Sequence, residues 1–135
     1  MCTAVSLKMK EHYFGRNLDL EYSYDQRVII TPRKHPFFFR RAGDCINHPA
    51  IIGVGIIRDN VPLYFDAVNE KGLAVAALSF PGFAVYSQEA LGCDNILPFE
   101  FIPWILGQCS SVQEAKQLLA GTNLINISFS EQLPV

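Results

Sequence analysis

The stretch IIGVGIIRDNVPLYFDAVNEKGLAVAAL, residues 51–78, decides how the chain folds. Ile51 to Ile57 is an apolar run of strand length, with two glycines that let a neighbouring backbone approach closely. Leu63 to Val68 and Leu73 to Leu78 are two further strands. Asn69-Glu70-Lys71-Gly72 joins them as a hairpin turn, with Gly72 available for positive φ.

The same grammar extends toward the N-terminus. Arg27 to Thr31 (RVIIT) is a strand stopped by Pro32. Val5, Leu7 and Met9 alternate with Ser6 and Lys8, which predicts a half-buried strand over Thr3–Met9. Lys10-Glu11-His12 reads as a turn and Tyr13–Asn17 as the returning strand, so the chain opens with a hairpin. Phe37-Phe38-Phe39, between Arg33-Lys34 and Arg40-Arg41, reads as a strand with solvated ends, not as a nucleic-acid platform.

After Pro81 the pattern changes. Asn95 is placed to cap a helix from Ile96 to Leu106, with Pro98 in its first turn and a kink at Pro103. Ser111-Val112-Gln113-Glu114 is a capping box that opens a helix through Ala120, closed by Gly121. Leu124 to Phe129 alternates again and predicts a last strand. Strands, then two helices, then a strand make an α+β chain: an antiparallel sheet covered by helices. Residues 130–135 form a loop with no element after it, which predicts a truncated domain.

Composition bounds the function. The 135 residues are 50% apolar and 18% charged, which suits a packed domain. A net charge of -2 with no long basic tract gives no reason to expect nucleic acid. The start, MCTAVSLKMKEHYFGRN, lacks the apolar run of a signal peptide, and no stretch reaches the roughly 20 apolar residues of a membrane span. The expected location is cytoplasmic, where Cys2, Cys45, Cys93 and Cys109 stay reduced. Their spacing contains no CxxC. Cys45 and His48 offer two metal ligands where zinc takes about four, so no metal and no cofactor is expected. Cys93 and Cys109 read as packing residues.

Cys2 carries the chemistry. Removal of Met1 would place a thiol and a free α-amine on one residue. The thiolate is a strong nucleophile. The α-amine, with a pKa of roughly 7.7–8.0, can act as its base near neutrality without a histidine. Taken alone, a Met-Cys start reads more readily as a small residue at a chain end. The second cluster, FGRNLD at 14–19, gives it meaning, because a hairpin brings its returning strand beside the first. Arg16 can then stabilise a thiolate by charge, and Asp19 can hold the α-amine or thiol through a charge-assisted hydrogen bond.

MCT at the start, FGRNLDLEYS at 14–23, VNEKGLAVAALSFPG at 68–82 and the Ser111–Ala120 helix resemble the choloylglycine hydrolase family. That family comprises bile salt hydrolases and penicillin V acylases, within the N-terminal-nucleophile (Ntn) hydrolases. The resemblance implies that residues 1–135 are the N-terminal portion of a single such domain, an αββα sandwich incomplete in this chain. It implies amide hydrolysis through an acyl-enzyme on Cys2, with Arg16 and Asp19 as catalytic neighbours. Bile salt hydrolases commonly carry Asn, and penicillin V acylases Tyr, where this chain has Ser79. The family's oxyanion donor there is thus replaced by a hydroxyl, which still donates. Family members are longer and supply a further Asn and Arg from a part this chain lacks.

By the same resemblance, Leu18, Tyr22, Tyr24, Phe65 and Phe129 line an apolar substrate pocket, with Tyr24 and Phe65 as its principal walls. For each of them a place in the sheet core is the alternative. GRNLDLEYS and ALSFPG look like the bile-salt branch. The implied substrate is therefore a conjugated bile acid, a small molecule, with glycine or taurine released. The implied assembly is a homo-oligomer. Two alternatives stay open: an amidase of the penicillin V acylase type, and a non-catalytic fragment that associates through its unfinished sheet.

Overall fold

The computed structural model describes residues 2–19, 21, 23–80, 82–131 and 133. Its centre is the predicted block. β6 (Ile51–Arg58) and β7 (Val61–Asn69) pair antiparallel, β3 (Arg27–Thr31) flanks β6, and β8 (Ala74–Ala76) flanks β7. The order β3-β6-β7-β8 makes one four-stranded antiparallel sheet. The close approach expected at the glycines is real. A Cβ at Gly53 would overlap the Asp66 carbonyl, and one at Gly55 the Leu63 carbonyl. Gly72 closes the β7–β8 turn at φ +91°, where a side chain would be strained.

The opening hairpin forms from β1 (Thr3–Lys8) and β2 (His12–Asn17), in the register Thr3↔Asn17, Ala4↔Arg16. β4 (Phe37–Phe39) pairs with β5 (Gly43–Cys45), and both end rings of the Phe triplet are buried while Phe38 is exposed. Toward the C-terminus, β9 (Asp94–Ile96) and β10 (Thr122–Leu124) pair in parallel. Between them run a 3₁₀ turn at Pro98–Glu100, α1 (Phe101–Gln108) and α2 (Val112–Leu119), the crossover that a parallel pair requires.

Two expectations are corrected. No helix starts at Ile96. Asn95 instead closes a local turn, accepting from the Ala90 N–H at 3.0 Å and donating to its carbonyl at 2.8 Å. Pro98 holds Leu97 extended (φ -83°, ψ 143°), so the helix can begin only after the 3₁₀ turn. Pro103 then falls in the first turn of α1, where a missing N–H leaves no bond unmade and no kink is needed. The strand expected over Leu124–Phe129 stops at Leu124. Its partner β9 ends at Ile96, and among the described residues only the Ile125 N–H to Ile96 and a bridge to Ser87 extend the pairing.

The Ser111 cap forms, its Oγ accepting from the Glu114 N–H at 3.2 Å, while the Glu114 carboxylate reaches one residue past the cap to the Ser110 N–H at 2.7 Å. Only Ala115 of α2 is fully buried, whereas α1 is buried from Ile102 to Gly107. α1 packs on β6, β7 and β8. The core joins Ile102, Trp104, Ile105 and Leu106 to Ile29, Ile51, Tyr64 and Ala67 of the sheet.

The other sheet face is also apolar. Val28 opposes Val54 and Ile30 opposes Ile52, so all four share one side. There Val28 is 66% exposed, Ile30 68% and Ile52 44%.

Asn69 ties the layers together. Its Nδ2 donates to the carbonyls of Leu106 (2.9 Å) and Cys109 (2.8 Å) at the end of α1. Its Oδ1 accepts from the N–H groups of Lys71 and Leu73 in the β7–β8 turn.

Candidate active site

The hairpin register places Arg16 opposite Ala4, two residues after Cys2, and so on the side to which Cys2 belongs by strand alternation. The Cys2 sulfur lies 3.8 Å from the Asp19 carbonyl oxygen, and the Thr3 N–H donates to Asn17 Oδ1 at 2.5 Å. Cys2 and the segment after β2 are thereby held side by side. All four cysteines are unpaired thiols.

The Arg16 guanidinium is driven inward, with its side chain only 6% exposed. It donates to the Ala77 carbonyl at 2.6 Å and lies 3.5 Å from Asp66 Oδ2. Nε and Nη1 make no hydrogen bond among the described residues. Asp66 was not singled out in the sequence, although a carboxylate breaking the apolar run LYFDAV is the signal that marks it.

Phe65, next to Asp66, is the extra residue of a β-bulge opposite Val54 and Gly55. Its ring meets Tyr24 at 6.2 Å. Beyond Ala77 opens an apolar pocket of about 220 Å³, whose walls include Phe65, Tyr86, Phe99, Phe129 and Leu133. Tyr24 and Phe129 also border an adjoining cleft with Arg58 and Asp59. Of the expected wall residues, Phe65, Tyr24 and Phe129 therefore line cavities at one end of the sheet. Leu18 is half-buried between Asn17 and Asp19 and does not line this pocket. Tyr22 and Met1 lie outside the described residues. Ser79 is exposed, two residues after the Ala77 carbonyl held by Arg16. Tyr86 and Leu133 come from irregular segments and Phe99 from the 3₁₀ turn, none of which periodicity marks.

A second cavity, about 280 Å³, lies against Phe37, Phe39 and Pro62 and shares Phe99 with the first; Cys2, Arg16 and Asp19 line neither, and the first is tied to Arg16 through Ala77. Glu100 on its wall is buried, and burial raises its carboxyl above the ordinary range, against the pull of the Arg40 N–H and the nearby Arg40 and Arg41 charges. The His48 ring nitrogens lie 2.8 and 2.5 Å from the carbonyls of Pro49 and His35, which occupies them structurally. Among the described residues no group of three or more His, Cys, Asp or Glu side chains is arranged to hold a metal ion. No helix among them is long and apolar enough to cross a membrane.

Residues 2–134 match the linear amide C–N hydrolases, choloylglycine hydrolase family. The chain is 51% identical over 135 residues to a bile salt hydrolase/transferase of Lactiplantibacillus plantarum, and 38% identical over 146 residues to one of Clostridium perfringens. It spans 42% of the length of each. A crystal structure of the conjugated bile acid hydrolase from Clostridium perfringens superposes with a TM-score of 0.91 at 38% identity, over 100% of this chain and 42% of that one. The chain therefore belongs to the choloylglycine hydrolase family of linear amide C–N hydrolases.

Proposed function

We propose that this chain carries the nucleophile half of a cysteine amidohydrolase that cleaves glycine- or taurine-conjugated bile acids in the cytosol. One observation supports this reading above the others. The buried Arg16 guanidinium joins the hairpin bearing Cys2 to the Ala77 carbonyl at the rim of an apolar pocket, and its Nε makes no hydrogen bond among the described residues. A buried donor without a partner is costly, and functional sites are where such groups are retained.

The chemistry follows from the residues. With Met1 removed, the Cys2 α-amine takes the thiol proton and the sulfur attacks the substrate amide carbon. Arg16 favours the thiolate, Asp19 holds the α-amine, and the Ser79 hydroxyl or N–H donates to the developing oxyanion. Collapse breaks the C–N bond, and the amine leaves with the proton held by the α-amine. The acyl-thioester is then opened by water, releasing the free acid and restoring the thiol. The paired names of the relatives, hydrolase and transferase, match two fates of one thioester, capture by water or by an amine. The steroid or other acyl portion would occupy the pocket walled by Phe65 and Phe129, with Tyr24 beside it.

Intact mass before and after iodoacetamide tests the nucleophile, and parallel assays with glycocholate, taurocholate and penicillin V test the substrate. The expected result is loss of Met1, alkylation of Cys2 ahead of Cys45, and turnover of the bile conjugates. Labelling of Cys2 no faster than Cys45 would sink the nucleophile assignment. Preference for penicillin V would move the chain to the acylase branch.

The open apolar face at Val28, Ile30 and Ile52 supports a second reading. In it the chain is a non-catalytic fragment that associates through its unfinished sheet into a homo-oligomer. Absence of turnover with all three substrates, with self-association, would favour it.

A further inference from the structure

Arg40 follows β4 and joins two distant segments, Phe99–Glu100 and Ser128–Phe129. Its backbone N–H donates to Glu100 Oε1 at 2.9 Å. Its guanidinium carbon lies 4.9 Å from the Phe99 ring centroid and 5.3 Å from that of Phe129. The same guanidinium donates to the carbonyls of Phe129 (3.2 Å) and Ser128 (3.5 Å). The two rings meet edge to face, 5.1 Å apart at 86°. One planar cation thus sits against both rings and bonds the backbone that carries one of them.

Among the described residues the β10 ladder ends at Leu124; backbone bonds beyond it hold Ile125, Asn126 and Ile127, and the Leu133 N–H closes a local turn on the Ser130 carbonyl, but the Phe129 backbone itself is held by Arg40. Phe99, by contrast, is anchored in the 3₁₀ turn that leads into the buried helix. We propose that Arg40 is a positioning residue: it fixes Phe129 against Phe99 and so sets the width of the apolar pocket beside Arg16. That role in selecting the acyl group rests on reading this pocket as the acyl site. The clamp itself does not.

The test uses the full 135-residue chain with ring-labelled phenylalanine, as wild type, Arg40→Ala and Arg40→Lys. In the wild type, NMR cross-peaks should join the Phe99 and Phe129 rings. Arg40→Ala should lose them, while the Tyr64 and Trp104 signals of the core stay in place. Lysine keeps the charge but cannot fork to two carbonyls, so Arg40→Lys should retain the cross-peaks weakly. Titration with cholate should show affinity lowered about threefold to tenfold in Arg40→Ala and less in Arg40→Lys. Cross-peaks that survive unchanged in Arg40→Ala would overturn the proposal. Should wild-type chain fail to bind cholate, the acyl-site reading falls, and the ring contacts still decide whether Arg40 positions Phe129.

Discussion

Replacing Asn69 by alanine tests whether one amide holds the helix layer to the sheet. Asn69 is 3% exposed, and its side chain makes four hydrogen bonds, two to the end of α1 and two within the β7–β8 turn. Alanine leaves two carbonyls and two N–H groups to find other partners. A net hydrogen bond contributes about 1 kcal/mol. The Lys71 N–H is the least buried of the four partners and can reach water, so the loss should come to about 3 kcal/mol. For a domain of this size that lowers Tm by about 10 °C. Aspartate should be worse. It keeps the acceptor for the turn but points a carboxylate oxygen at the carbonyls of Leu106 and Cys109, with nothing to donate between them. Thermal unfolding followed by circular dichroism at pH 7, with urea titration as a second measure, gives both values. A Tm for Asn69→Ala within about 3 °C of wild type, or Asn69→Asp milder than Asn69→Ala, would refute the reasoning.

Three further outcomes follow. Burial raises the Glu100 carboxyl above its ordinary 4.5, so the folded chain binds that proton more tightly than the unfolded one, and stability falls as pH rises through and above 4.5. Glu100→Gln does not titrate, so its Tm relative to wild type should rise steadily over that range. A constant offset would contradict the sign. Glu70 works the other way: its bonds to Arg33 and to the Ala50 N–H hold it at about 2, so its share is full above pH 4.5 and is lost as pH falls from there through about 2. It is common to both proteins and cancels. Arg16→Met strands the Asp66 carboxylate at 18% exposure and should cost about 3 kcal/mol, part of which a second change, Asp66→Asn, restores in denaturant titration. Ile30→Lys should abolish self-association in sedimentation velocity while changing stability by less than about 0.5 kcal/mol, since Ile30 is 68% exposed.

The two sequence readings that failed did so for one reason. Asn95 has the chemistry of a helix cap, but caps and local turns use the same side-chain bonds, and the nearby Ala90 backbone captured it. Leu124–Phe129 has the alternation of a strand, but a strand needs a partner, and β9 runs out at Ile96. Propensity is local, while pairing is settled by what else reaches the same place.

What the sequence by itself determined is the α+β order, the opening hairpin, the glycine-bearing central strand, the NEKG turn and the Ser111 cap. Each rests on interactions between residues near one another in the chain, which spacing and residue type specify. The same is true of Cys2 beside the Arg16–Asp19 segment, because one tight turn brings them together. Only the tertiary structure decided that Arg16 meets Asp66 and the Ala77 carbonyl, that Asn69 closes the end of α1, and that Arg40 reaches Phe99 and Phe129. These partners lie 37 to 89 residues apart. No periodicity encodes such distances; the packing of separate elements against one another creates them, α1 on the sheet for Asn69 and the hairpin on β7 for Arg16.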